Sequence, residues 1–233
     1  MKYTSVTKVL ERFADKNDAK FLAGYFKTAI GEYGEGDIFI GVNVPTQRKI
    51  AKRFSDLPLV ELQKMLRSKI HEHRLTALLI LTIQFEKGDE KNRKKIFDFY
   101  LKNLRFVNNW DLVDQSAHCI VGAHLATSSR LILRELSVSE NVWRRRIAIV
   151  STYYFIRQKD FADTLALAEK LLGDKHDLIH KAVGWMLREV GKRDEKVLRK
   201  FLDKHRRKMP RTTLRYAIEK FSEADRKKYL RKI

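Results

Sequence analysis

The chain has 233 residues, with 49 Lys or Arg against 29 Asp or Glu, and a formal net charge of +20. At 44% hydrophobic it can bury a sizeable core, yet no apolar run approaches the ~18 residues of a membrane-spanning helix. Its one cysteine, Cys119, excludes an internal disulfide and a four-cysteine zinc site, and reads as a buried filler suited to a reducing compartment.

Charges run through the N-terminal stretch M-K-Y-T-S-V-T-K-V-L-E-R-F, which lacks the apolar centre of a signal peptide. An intracellular, cytoplasmic protein is expected. The first irregular segment is G-E-Y-G-E-G-D-I-F-I-G-V-N-V-P, residues 31–45. It reads as an ordered loop with an apolar plug, Ile38-Phe39-Ile40, leading to a helix with Pro45 in its first turn. Its glycine spacing fits no common nucleotide fingerprint, and Glu32, Glu35 and Asp37 argue against phosphate.

Helical periodicity follows. Leu59, Leu62, Met65 and Leu66 form one stripe, and R-L-T-A-L-L-I-L-T-I-Q-F reads as a central buried helix. Ile96, Phe97, Tyr100, Leu101 and Leu104 form another stripe. Segments near 112–126, 140–157, 160–172, 176–190, 194–205 and 211–221 behave alike, separated by breaks such as G-D-E-K-N and G-D-K-H-D. With three prolines and little strand-type alternation, the expected class is all-α: a curved α-solenoid of HEAT-like antiparallel helix pairs, one domain over 1–233. The tryptophans loosely echo such a repeat, Trp110 to Trp143 being 33 residues and Trp143 to Trp185 being 42.

Charge is unevenly spread. Residues 191–233 hold 17 Lys/Arg and 6 Asp/Glu, whereas residues 1–50 hold 8 and 6. A basic field of this kind points to a polyanion, with nucleic acid the favoured partner. Against that field, V-N-N-W-D-L-V-D-Q-S-A-H at 107–118 is an acidic, aromatic window without Lys or Arg. Asn108 or Asn109 suits an N-cap there, and Asp111 a first-turn carboxylate facing the helix dipole. Asp114 lies beyond that turn, four residues after Trp110 and on the same face. It is either the chemically active carboxylate or part of a surface ion pair.

Two further constellations stand out. In N-V-W-R-R-R-I-A-I-V, residues 141–150, Trp143 and Ile147 suit the core. Arg144, Arg145 and Arg146 fan over too wide an arc to share one job. In H-K-A-V-G-W-M-L-R-E-V-G-K, residues 180–192, Gly184 inside a helix costs ~1 kcal/mol relative to Ala, so it marks a close approach by a neighbouring helix or a ligand backbone. Arg188 either braces Trp185 or touches phosphate. His71, His73, His118 and His124 show no metal-ligand spacing, and nothing resembles a serine-hydrolase elbow.

Together, G-E-Y-G-E-G-D, W-D-L-V-D, N-V-W-R-R-R-I-A, K-A-V-G-W-M-L-R-E and R-K-M-P-R-T-T-L-R-Y-A-I-E-K-F resemble the AlkD-like DNA alkylation repair glycosylases, in order over nearly the whole chain. The resemblance implies hydrolysis of the N-glycosidic bond of cationic alkylpurines, such as 3-methyladenine and 7-methylguanine, in double-stranded DNA without base flipping. It implies Asp114 as catalytic carboxylate, Trp110 and Trp185 as lesion-facing aromatics, and Arg146 as the accompanying arginine. DNA contacts are expected at the basic residues Arg144, Arg145, Lys181, Arg188, Arg211 and Arg215. It implies no cofactor and no metal, and a monomer is expected. Arg144 and Arg145 depart from relatives that are uncharged there. No lysine adjoins the carboxylate, so base release without strand cleavage is expected.

Two other classes compete. A non-catalytic DNA-binding scaffold for damaged or branched DNA would keep the basic field but could lose the Trp/Asp/Arg set. A HEAT-like protein-interaction module would explain the helices and neither the charge nor the acidic window.

Overall fold

Short capped breaks cut the apolar periodicity into helices. Side chains of Asp15, Asn43, Asp89, Asn141 and Asp194 accept from first-turn amides, supplying partners that the helix itself cannot. The computed structural model describes residues 1–231, and among these the ordered elements are helices, with one isolated parallel bridge between Ile38 and Ile70. The expected all-α class holds. No helix among the described residues is long and apolar enough to cross a membrane.

The chain divides into two compact units, residues 1–120 and 121–233. The first begins with α1 (Tyr3–Glu11) and α2 (Lys16–Tyr25), then the glycine-containing loop. It continues with α3 (Val44–Arg53), α4 (Leu59–Leu66), α5 (His71–Lys87), α6 (Glu90–Lys102) and α7 (Trp110–Ala117). Pro45 lies in the first turn of α3, as the sequence indicates. Helix α5 is the hub against which α3, α4, α6 and α7 pack. It is buried on every face from His71 to Leu81, as its nearly continuous apolar sequence requires.

Beyond α7 the chain passes through a π-helical turn, His118–Gly122, into α8 (Ala123–Leu125). The expected helix over 112–126 is thus present but carries a bulge. The second unit contains α9 (Leu131–Ser137), α10 (Val142–Ser151), α11 (Tyr153–Arg157) and α12 (Ala162–Leu171). It ends with α13 (Asp177–Gly191), α14 (Glu195–His205), α15 (Arg211–Ala217) and α16 (Glu223–Leu230). Here α13 is the hub, packed by α10, α11, α12, α14 and α15.

The single segment expected over 140–157 is two helices. Ser151 Oγ donates to the Ile147 carbonyl at 2.6 Å and Thr152 Oγ1 to the Ile149 carbonyl at 2.7 Å, the back-bonding that bends helices. Gly184 is explained by α15. A Cβ there would meet the Tyr216 Cβ at 2.5 Å and the Thr213 carbonyl oxygen at 2.6 Å, so the close approach is that of a neighbouring helix. Cys119 is half-buried, not the core filler its apolar surroundings suggest, and its Sγ lies 3.4 Å from His118 Nδ1. The tryptophans do not mark equivalent repeat positions: Trp110 starts α7, Trp143 is the second residue of α10, and Trp185 sits deep within α13.

Candidate functional site

The start of α7 is held by a buried polar network. Asn109 is its N-cap: the side-chain oxygen accepts from the Trp110 amide at 2.8 Å, and Nδ2 donates to Asp37 Oδ2 at 3.2 Å. Asp111 accepts from the Leu112 amide at 2.8 Å through one oxygen and from His71 Nε2 at 2.8 Å through the other. His71 Nδ1 donates to Asp37 at 2.9 Å, and Arg74 Nη2 donates to the other oxygen of Asp37 at 2.6 Å. Two carboxylates therefore face two cations.

Both ring nitrogens of His71 face carboxylates, so both carry protons. Burial works against that charge, but the charge of Asp111 and hydrogen bonds to both aspartates outweigh it and raise the His71 pKa to about 9. Burial also opposes the charge on Asp37. The His71 hydrogen bond and the Arg74 charge more than compensate, holding its carboxyl below the ordinary range. Asp111 is thus in the first turn, as its sequence position suggests, but its principal partner is His71.

The same network supports the first indole. Trp110 is half-buried, and Phe26 stacks on it with ring centres 4.9 Å apart and planes 10° apart. Tyr25 meets it edge-on at 5.9 Å. Phe26 in turn stacks on Phe39 at 4.9 Å, and Phe39 lies on the His71 ring at 4.4 Å. The end of α2 and the plug of the glycine-containing loop supply these rings. Glu72, buried at the start of α5, anchors that loop by accepting from the amides of Ile40, Gly41 and Val42 at 2.9–3.3 Å. The amide cradle of the loop is therefore filled by the chain's own carboxylate. Gly41 has φ +83°, and a Cβ would lie 2.1 Å from the Asp15 carbonyl oxygen, so a side chain is excluded twice over.

Asp114 is half-buried one turn beyond Trp110. The neighbouring Gln115 accepts from Arg48. Buried Tyr100 bonds Ser116 at 2.9 Å. Its pKa is pushed up chiefly by burial, against the Ser116 hydrogen bond, with the Asp114 charge adding to the rise. The π turn that follows is a backbone irregularity often found beside functional groups.

In the second unit the three consecutive arginines do have three environments. Arg144 is exposed. Arg145 is clamped: Nε donates to Asp174 at 2.6 Å and Nη1 donates to the carbonyls of Ser139 and Glu140 at 2.8 Å. Arg146 is only 5% exposed and donates to the Leu178 carbonyl at 2.6 Å. Trp143 is in the core. Trp185 is half-buried, its ring centre 5.9 Å from that of Tyr153. Arg188 pairs with Glu219, and Lys181 pairs with Asp177 at 2.8 Å. Arg211 donates to the Leu230 carbonyl at 2.7 Å, while Arg215 is exposed on α15.

Reading the sequence alone missed the support of Trp110: Phe26, Asp37, His71, Glu72 and Arg74. One signal was available. H-E-H-R at 71–74 opens a helix that is otherwise almost wholly apolar, and polar residues buried there require partners. The partner of His71, Asp37, lies 34 residues away in a loop, beyond the reach of any local pattern.

A family model for DNA alkylation repair enzymes matches residues 6–221. The chain belongs to the DNA alkylation repair enzyme family. Among solved structures, a chain described as a predicted DNA alkylation repair enzyme from Enterococcus faecalis is similar, with TM-score 0.67 and 16% identity. The match covers 90% of this chain and 97% of that one, and at such identity it speaks to the fold. No curated protein matches the sequence. In this member of the alkylation repair family, the acidic window keeps an indole and a carboxylate half-buried on a helix whose start is anchored by a buried ion network.

Proposed function

We propose that this member of the family is a monofunctional DNA glycosylase. It hydrolyses the N-glycosidic bond of cationic alkylated purines, such as 3-methyladenine and 7-methylguanine, in double-stranded DNA. The observation that carries the reading is the placement of Asp114: half-buried, one turn from a half-buried indole, on a helix whose first turn is fixed by His71 and Asp37. A carboxylate retained for solubility alone would not need such a foundation.

The chemistry asks little of the protein as an acid. A purine alkylated at N3 or N7 already carries positive charge. When the bond from C1′ to the base breaks, its electron pair neutralises the base, and no proton need be donated to the leaving group. Positive charge then develops on the deoxyribose. Asp114 is the fixed negative charge for that oxocarbenium ion and orients the water that adds to C1′ with loss of a proton. Indole faces attract cations by ~0.5–2 kcal/mol per contact, which suits Trp110 and Trp185 to an alkylated base.

The basic residues divide by environment. Arg144 and Arg215, exposed, are assigned to backbone phosphate. Arg211, Arg188 and Lys181 contact the strand from positions already steadied by Leu230, Glu219 and Asp177. Arg145 acts through the loop it clamps, and Arg146 is assigned to the reaction by the family resemblance, from a buried position where it donates to the Leu178 carbonyl. The test is release of free methylated base from methylated duplex DNA, with strand cleavage measured in parallel. Base release without strand cleavage is expected. Binding without release would instead favour a non-catalytic damage-binding protein.

A further inference from the structure

The second unit carries a cationic cavity of which the proposed glycosylase reading uses one residue, Arg211, as a strand contact. It has a volume of ≈ 440 Å³ and lies where the end of α14, the segment 206–210, α15 and the end of α16 meet. Arg206, Arg207, Arg211 and Arg231 line it, and among the described residues no carboxylate does. Its apolar lining comes from Met209, Leu214 and Tyr229, each under 10% exposed.

Several arginines of this unit are paired with carboxylates, while Arg144 and Arg215 stand exposed. Arg130 binds Asp160 and Asp163, Arg145 binds Asp174, Arg188 binds Glu219, Arg193 binds Glu189, and Arg199 binds Asp225. Around the cavity four arginines converge instead on one concave surface. Arg211 donates to the Leu230 carbonyl, a neutral partner, and Arg206 lies over the Tyr229 ring at 5.9 Å. Among the described residues, Arg206, Arg207 and Arg231 have no carboxylate partner. The acid closest in the hydrogen-bond pattern, Asp203, accepts from the Tyr229 hydroxyl at 3.1 Å and is not part of the lining. Four like charges around one concavity repel each other, and a multiply charged anion relieves the repulsion.

We propose that this cavity binds a nucleoside phosphomonoester, with the phosphate among the guanidiniums and the nucleoside against Met209 and Leu214. Guanidinium forks match phosphate oxygens in pairs, and a dianionic monoester gains more from several of them than a singly charged diester does. The volume exceeds what a lone phosphate needs and lies within the range of small-molecule pockets. The phosphomonoester has two possible sources, the 5′-phosphorylated end of a DNA strand and a free nucleoside monophosphate.

The experiment uses the full chain and fluorescence anisotropy at fixed ionic strength. One undamaged duplex is compared with a 5′-phosphate and with a 5′-hydroxyl, and deoxyadenosine 5′-monophosphate and inorganic phosphate serve as separate probes. The variant is Arg207→Gln with Arg231→Gln, two exposed positions, with thermal unfolding checked for an unchanged midpoint. A strand-end ligand predicts about 5–10-fold tighter binding of the phosphorylated duplex, a preference the variant loses. A free-nucleotide ligand predicts that the monophosphate binds more tightly than inorganic phosphate and that the variant loses this binding, without any strand-end preference. Two results overturn the proposal. One is that wild type shows neither preference. The other is that the variant weakens phosphorylated and hydroxyl duplexes equally, which would make the arginines a general basic surface.

Discussion

His71 and Asp111 are joined from Nε2 to Oδ2 at 2.8 Å, so the first turn of α7 is tied to the first residue of the buried hub helix α5. Asp114 stands one turn further along. The two aspartates of the acidic window therefore have different duties, one toward the interior and one toward the proposed reaction. The contrast between them is open to experiment.

Asp111→Asn should act on stability. It leaves the buried imidazolium short of one counter-charge, and removing one partner of a buried pair costs about 3–5 kcal/mol. Urea unfolding should show a clearly lower midpoint. Asp114→Asn, at a half-buried position, should unfold close to wild type. Equal midpoints for Asp111→Asn and wild type would mean that the network does not hold α7.

Stability should also depend on pH in a defined window. The His71 pKa is raised from 6.5 to about 9, so its contribution is fully present below 6.5 and is lost as pH rises through about 9. The Asp37 pKa is lowered from 3.8, so its contribution is present above 3.8 and is lost as pH falls through the lower folded value. Urea midpoints between pH 7 and pH 10 should fall more steeply for wild type than for His71→Gln. Parallel curves would remove the imidazolium from the account.

Much of this architecture was legible in the sequence, and the reasons for the remainder are physical. The apolar run after His71 showed the hub helix directly, and Pro45 and the pair Asn108 and Asn109 marked helix starts, because these signals are local. The π turn at 118–122 and the break at Thr152 were not legible, since each rests on tertiary packing or side-chain back-bonding rather than on periodicity. The tryptophan spacing misled, because Trp110, Trp143 and Trp185 occupy unlike positions. Trp110 and Asp114 could be picked out by their composition alone, but the stack of Phe26 and Phe39 beneath Trp110 could not. Those rings come from the end of α2 and from the loop, elements that sequence separation hides.

Gly184→Ala should destabilise although alanine favours helix. The gain in propensity is ~1 kcal/mol, while the added Cβ meets Tyr216 and Thr213 inside ordinary contact distance. Overpacking of this kind costs about 1–3 kcal/mol, so a net loss is expected in a urea titration. A stabilised variant would show that α13 and α15 can part without penalty.

Arg144 and Arg145 should separate in the same way as the two aspartates. Arg144→Gln should weaken binding to any duplex and lower the magnitude of the salt-dependence slope by about 1, with unfolding unchanged. Arg145→Gln should lower the unfolding midpoint, because the loop at Ser139 and Glu140 loses its clamp to Asp174. An unchanged salt slope for Arg144→Gln would take that residue off the phosphate.

The central claim is that Asp114 supplies the charge for base release. It is tested most directly by single-turnover release of 7-methylguanine from methylated duplex DNA, with DNA affinity measured on the same preparations. The expected result is that Asp114→Asn binds the duplex like wild type and loses release by at least about 100-fold, the scale on which one preorganised electrostatic group acts. Release at the wild-type rate by a folded, DNA-binding Asp114→Asn protein would contradict it.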